Sequence, residues 1–138
     1  MVDDVMLNKA ASIERGVARA REEYAAQPGE FALNFTRQDA AILNIQKACE
    51  ATLDIRQHII RRASLGIPQS ARDVFSLLAR AQWIDALLAE QMKRMVGFRN
   101  VAVHDDQTLQ LPITVNIITL HLQEFIEFNK QVLRKASA

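Results

Sequence analysis

Between Met95 and Gln107 the sequence reads MVGFRNVAVHDDQ. Arg99, Asn100 and His104 fall close together in it, and Asp105 and Asp106 follow at once. A histidine titrates near neutral pH and can take or give a proton. An arginine presents a fixed planar fork to a phosphate and stabilises charge that builds on it. The two together suffice for metal-free cleavage of RNA, in which the ribose 2′-hydroxyl attacks the neighbouring phosphate. The same two could instead only bind a nucleotide, and spacing does not separate these readings. At roughly 100° per residue in a helix, Asn100 and His104 share a face, whereas Arg99 and His104 stand about 140° apart. One helix alone therefore does not join Arg99 to His104 neatly. A second copy across a two-fold axis would line one cleft with two arginines and two histidines. The plainer alternative is a helix C-terminus decorated with Arg and His, where the helix dipole favours them.

Other chemistries lack their residues. None of His58, His104 and His121 has a second His or Cys three or four positions on, so there is no zinc pattern. Glu-x-x-His, a Gly-rich phosphate loop and Gly-x-Ser-x-Gly are also missing. The expectation is a protein without metal or other cofactor. Cys49 reads as core filler in mid-helix, and His58 and His121 as surface or packing residues.

The elements that must hold Arg99 and His104 are helices. With 4 glycines and 3 prolines in 138 residues, few strand-and-turn punctuators exist, and the class is all-α. A chain of this length is one domain, 1–138, burying roughly two thirds of its unfolded surface. Its 17 basic and 16 acidic residues balance to a net charge of +1, so any nucleic-acid contact must be local. With one cysteine there is no internal disulfide, and the start MVDDVML lacks a signal-peptide layout. No apolar run approaches the ~18 residues of a membrane span. The chain is expected to be cytoplasmic, with no membrane association.

Periodicity and punctuation predict five helices. The first runs from about Asp4 to Ala26, with Val5, Ile13, Val17 and Ala20 inward, and breaks at Pro28-Gly29-Glu30. The second runs from Thr36 or Asp39 to Ser64, with Gly66 capping it and Pro68 just beyond. Ser70 to Asp73 resembles a capping box for a short third helix to about Ala81, with Val74, Leu77 and Leu78 buried. Asp85 caps a fourth, whose core stripe is Leu87, Leu88, Met92, Met95 and Val96. Pro112 fits the first turn of a fifth, running to about Arg134 with Val115, Ile118, Leu122, Phe125 and Ile126 inward. Four long helices with short loops and one short extra helix make an antiparallel up-and-down bundle.

These residues also carry a family likeness. FRNVAVHD resembles the R-x-x-x-x-H-x-Y signature of the HEPN (higher eukaryotes and prokaryotes nucleotide-binding) superfamily, in its HepT-like toxin branch. LNIQKACEATLDIRQHI, LGIPQSARDVFSLL and KRMVGFRNVAVHD resemble that branch in order and spacing, so the likeness covers nearly the whole chain. It implies a homodimer whose signature helices meet at the two-fold axis. It implies a metal-independent ribonuclease toxin, with tRNA or mRNA as substrate. The partner it implies is a minimal nucleotidyltransferase (MNT) antitoxin that silences the toxin by transferring AMP to the signature tyrosine. Carried over, Arg99 and His104 are the catalytic pair and Asn100 a supporting residue. The departure is Asp106, which stands where the tyrosine is expected and offers no phenol to modify. Either the chain has diverged and is neutralised by binding alone, or a substitution has removed the acceptor and placed a negative charge there. In both cases a carboxylate beside the pair is expected to repel RNA phosphate and engage Arg99 or its symmetry mate.

Overall fold

The computed structural model describes residues 2–70, 73–104 and 107–138, and their side chains except at 99–110. The elements are α1 (Asp4–Ala25), α2 (Phe35–Ala63), α3 (Asp73–Arg80), α4 (Ala86–His104), α5 (Gln107–Asn116) and α6 (Leu122–Ser137). The described residues are all-α, as composition predicts.

The first two long helices begin at side-chain caps. Asp3 accepts from the Met6 backbone N–H at 3.0 Å and Asn34 from that of Arg37 at 3.0 Å, each satisfying a donor that a helix start leaves open. Apolar residues at steps of three and four then turn one face of each helix inward: Met6, Ala10, Ile13, Val17 and Ala20 on α1, and Ala41, Ile45, Ala48, Thr52, Ile55 and Ile59 on α2. Val5, expected inside, is 43% exposed, and Met6 fills the core position instead. The two helices run antiparallel, since Lys9 pairs with Asp54 while Glu23 pairs with Arg37. Gly16 lets them approach closely: a Cβ there would lie 2.7 Å from the Asn44 carbonyl oxygen.

The break at Pro28 is itself structured. Residues Pro28–Leu33 form a 3-10 helix that buries Phe31 edge-on to Tyr24, with ring centroids 5.2 Å apart. The buried Gln38 amide donates to the Phe31 and Ala32 carbonyls at 2.8 and 3.0 Å, locking this turn to α2. At the far end of α2 the left-handed residue is Ser64 (φ 53°), not Gly66, and the Leu65 N–H returns to the Ile60 carbonyl. Gly66 (φ +116°) shapes the loop two residues later.

Ser70 accepts from the Asp73 N–H at 3.1 Å, so α3 begins at the expected box. Its buried residues are Val74, Phe75 and Leu78, with Leu77 only half-buried. Phe75 sits at the centre, edge-on to Phe128 of α6 and under the guanidinium of the buried Arg56, 5.2 Å from its centroid. The core stripe of α4 is Leu88, Ala89, Met92, Met95, Val96 and Phe98. Leu87 is 68% exposed, because the stripe starts one residue later than the sequence suggests.

The largest difference lies after α4. Instead of starting a helix, Pro112 sits inside α5, which begins at Gln107. Proline has no N–H for the helical ladder. One π-helical turn, Ile117–His121, follows and shifts the register before α6 begins. Ile118, Leu122, Phe125, Phe128 and Val132 then face the core. The buried Asn129 amide donates to the Ala10 carbonyl at 2.9 Å, fastening α6 across α1.

Candidate active site on the fourth helix

The start of α4 is fixed twice. Asp85 Oδ1 accepts from the Leu88 N–H at 2.7 Å. The Gln131 side chain of α6 accepts from the Asp85 N–H at 2.8 Å and donates to Asp85 Oδ2 at 2.9 Å. Met92, Met95, Val96 and Phe98 then anchor the helix in the core up to the residue before Arg99. The backbone of α4 stays helical through His104. Positions 100 and 104 are therefore one turn apart on this helix, and position 99 lies on a different face, as the spacing predicted. The side chains of Arg99, Asn100 and His104 lie outside the described ones, and Asp105 and Asp106 lie outside the described residues altogether.

Beside this helix is a groove of about 430 Å³ that the sequence reading missed. Gln91, Arg94 and Phe98 form its α4 wall, and Pro112, Ile113 and Ile117 face them from α5 and the π-turn. On the rim, His121 Nδ1 lies 2.6 Å from Glu124 Oε2. The i, i+3, i+7 spacing of the α4 wall was readable, but the opposite wall depends on the register after Pro112, which was not.

The other residues weighed for chemistry have structural partners. Cys49 is buried in the core. His58 Nε2 lies 2.8 Å from Asp3 Oδ2, and Arg62 pairs with the same carboxylate. The Met6 backbone N–H and then the His58 hydrogen bond hold the Asp3 carboxyl well below the usual range, against an opposing effect of burial and with a lesser share from Arg62. This cluster ties the start of α1 to the end of α2, two elements away from α4. Among the described residues no group of His, Cys, Asp and Glu could hold a metal ion, and no helix is long and apolar enough to cross a membrane.

The all-α fold, with Arg99 and His104 spaced along one long helix, agrees with the HEPN-type domain that the sequence resembles. The chain belongs to the Ribonuclease HepT-like family, whose model matches residues 13–132. It is 46% identical over 127 residues to the mRNA nuclease HepT of Shewanella oneidensis, across 92% of this chain and 95% of that protein. Its fold matches the tri-AMPylated Shewanella oneidensis HEPN toxin solved in complex with MNT antitoxin, with a TM-score of 0.89 and 44% identity over 96% of this chain and 99% of that one. A toxin–antitoxin structure solved with AMP-PNP matches with a TM-score of 0.87 and 44% identity, over 95% and 99% of the two chains.

Proposed function

We propose that this chain is the toxin of a type VII-like HEPN/MNT toxin–antitoxin pair and cuts RNA, mRNA foremost, without a metal. The observation that carries the reading is the Arg99/His104 spacing on a continuous α4 in a chain 46% identical to an mRNA nuclease. The 2′-oxygen bonds to the adjacent phosphorus, the bond to the 5′-oxygen breaks, and the departing 5′-oxygen takes up a proton. His104 moves the proton, either off the 2′-hydroxyl or onto the leaving oxygen. Arg99 binds the phosphate and stabilises the charge that grows on it. Asn100 supports His104 from one turn away. Because positions 99 and 104 are on different faces, a homodimer that brings two α4 helices together gives the phosphate an arginine and a histidine at once.

The partner is an MNT-type nucleotidyltransferase, by likeness to the complexes above. In such a pair AMP would be transferred to a tyrosine at the position of Asp106, which this chain cannot offer there. That substitution favours a second reading, a weakened or inactive module that binds a nucleotide and its nucleotidyltransferase partner. Growth on expression separates the two, comparing this chain with Arg99→Ala, His104→Ala and Asp106→Tyr. Toxicity in this chain or in Asp106→Tyr that both alanine changes abolish supports the nuclease. Toxicity that survives them sinks it, and harmlessness of all the chains, Asp106→Tyr included, leaves the binding module.

A further inference from the structure

The groove beside α4 has the chemistry of a nucleotide subsite. We propose that it binds the RNA nucleotide next to the phosphate handled by Arg99, with Arg94 on that nucleotide's own phosphate and the apolar floor under its base. The proposal rests on the ribonuclease reading of α4 and adds where the neighbouring nucleotide lies.

Position comes first. Gln91, Arg94 and Phe98 lie on one face of α4, and Phe98 immediately precedes Arg99 in the chain. Arg99 stands about 100° round the helix from Phe98, so a strand whose scissile phosphate sits at Arg99 reaches this groove by passing over Phe98. The volume, about 430 Å³, falls within the range of small-molecule sites, roughly 300–1,000 Å³.

The lining divides as a nucleotide does. Met95, Phe98 and Ile117 are core residues that make a fixed apolar floor, and Pro112 and Ile113 continue it as an exposed wall. Such surfaces take the face of a base with little regard to its identity. The rim is polar. Lys93, next door, is paired with Glu90 at 2.9 Å. Arg94 is exposed, and no hydrogen bond or ion pair joins its guanidinium to another described residue. A guanidinium that no described residue engages, at the edge of an apolar slot, has the chemistry of a phosphate hook. Across the groove Asn116 offers an amide and Glu124 a carboxylate already tied to His121. The carboxylate suits a base with an exocyclic amine, which adenine, cytosine and guanine carry and uracil lacks.

The test is binding of uncuttable RNA, which separates this proposal from catalysis. Labelled 2′-O-methyl oligoadenylate and oligouridylate of equal length are titrated by fluorescence anisotropy into the full chain and into its Asp106→Tyr form. Arg94→Ala is expected to weaken binding of both strands about 5- to 20-fold and to flatten the slope of log affinity against log salt by about 0.7. Arg94→Lys keeps the slope. Asn116→Ala narrows the preference for oligoadenylate and leaves the slope unchanged. Unaltered affinity and slope in Arg94→Ala, or no binding by either form, would overturn the proposal. So would a change confined to the monomer–dimer equilibrium in sedimentation, which would make the groove a contact between copies. If Arg94 governs binding but neither form cuts RNA, the nuclease reading fails and the subsite stands. If RNA is cut and Arg94 is irrelevant, the subsite alone falls.

Discussion

The helix that carries Arg99 and His104 starts at Asp85, and the bonds there make its anchoring measurable. Asp85→Ala removes the cap on the Leu88 N–H and the bond from Gln131 Nε2, but keeps the bond from its own backbone N–H to Gln131 Oε1. The cap contributes about 1 kcal/mol. Gln131 makes two bonds to Asp85 and a third from Nε2 to Glu127 Oε1 at 3.0 Å, and each, exposed or half-buried, contributes about 0.5 kcal/mol, the low end of the range. Asp85→Ala should therefore cost about 1.5 kcal/mol, and Gln131→Ala, which loses all three Gln131 bonds, about 1.5 kcal/mol. The bond from Gln131 Nε2 to Asp85 Oδ2 is lost in either single variant, so the double variant should cost only about 2.5 kcal/mol, a shortfall of about 0.5 kcal/mol from additivity. Urea unfolding followed by circular dichroism at one protomer concentration reads all four corners of the cycle, and the midpoint should move with no change in m. Full additivity, or an Asp85→Ala cost below about 0.5 kcal/mol, would refute the claim that this link fixes the start of α4.

Three further outcomes follow from the packing and the charges. Gly16→Ala should destabilise by about 1–3 kcal/mol, because the added Cβ meets the Asn44 backbone carbonyl oxygen at 2.7 Å and α1 and α2 must move apart; a raised thermal midpoint would contradict this. Gln38→Ala should cost about 1–3 kcal/mol in chemical unfolding, since it strips a buried donor from the Phe31 and Ala32 carbonyls. Asp3 has a folded-state carboxyl held below its ordinary value of 3.8, so its contribution is present above that value and is lost as pH falls through the acid range. Asp3→Asn should lower stability at neutral pH and flatten the fall of stability between neutral and strongly acid pH; a parallel shift of the whole curve would show that another group is responsible.

The sequence made the bundle legible because its long helices keep an uninterrupted apolar stripe. Ile13, Val17 and Ala20 on α1, Ala41 to Ile59 on α2, and Met92, Met95 and Val96 on α4 are all buried as their spacing requires. The errors sit at helix ends. Val5 and Leu87 are apolar residues in a first turn, where one further residue decides which side faces inward, and both point out. Phe31 was hidden in a stretch that reads as a break, since Pro28 and Gly29 signal interruption whether or not the following turn packs. Pro112 misled most. Its usual place is the first helical turn, yet here it lies within α5, and the π-turn that follows has no sequence signature of its own. That register change is what brings Pro112, Ile113 and Ile117 opposite Arg94 and Phe98, so the groove was invisible from spacing alone. That Arg99 and His104 share one continuous helix was legible from their spacing, and their side chains lie outside the described ones.

The most direct test of the proposed chemistry is the end group left on cut RNA. Purified Asp106→Tyr protein in a metal chelator should cleave mRNA to fragments with 2′,3′-cyclic phosphate and 5′-hydroxyl ends. Adding His104→Ala or Arg99→Ala should slow that cleavage by at least roughly 100-fold. Fragments with 5′-phosphate ends that form only when a divalent metal is added, or cleavage that survives His104→Ala, would contradict the account.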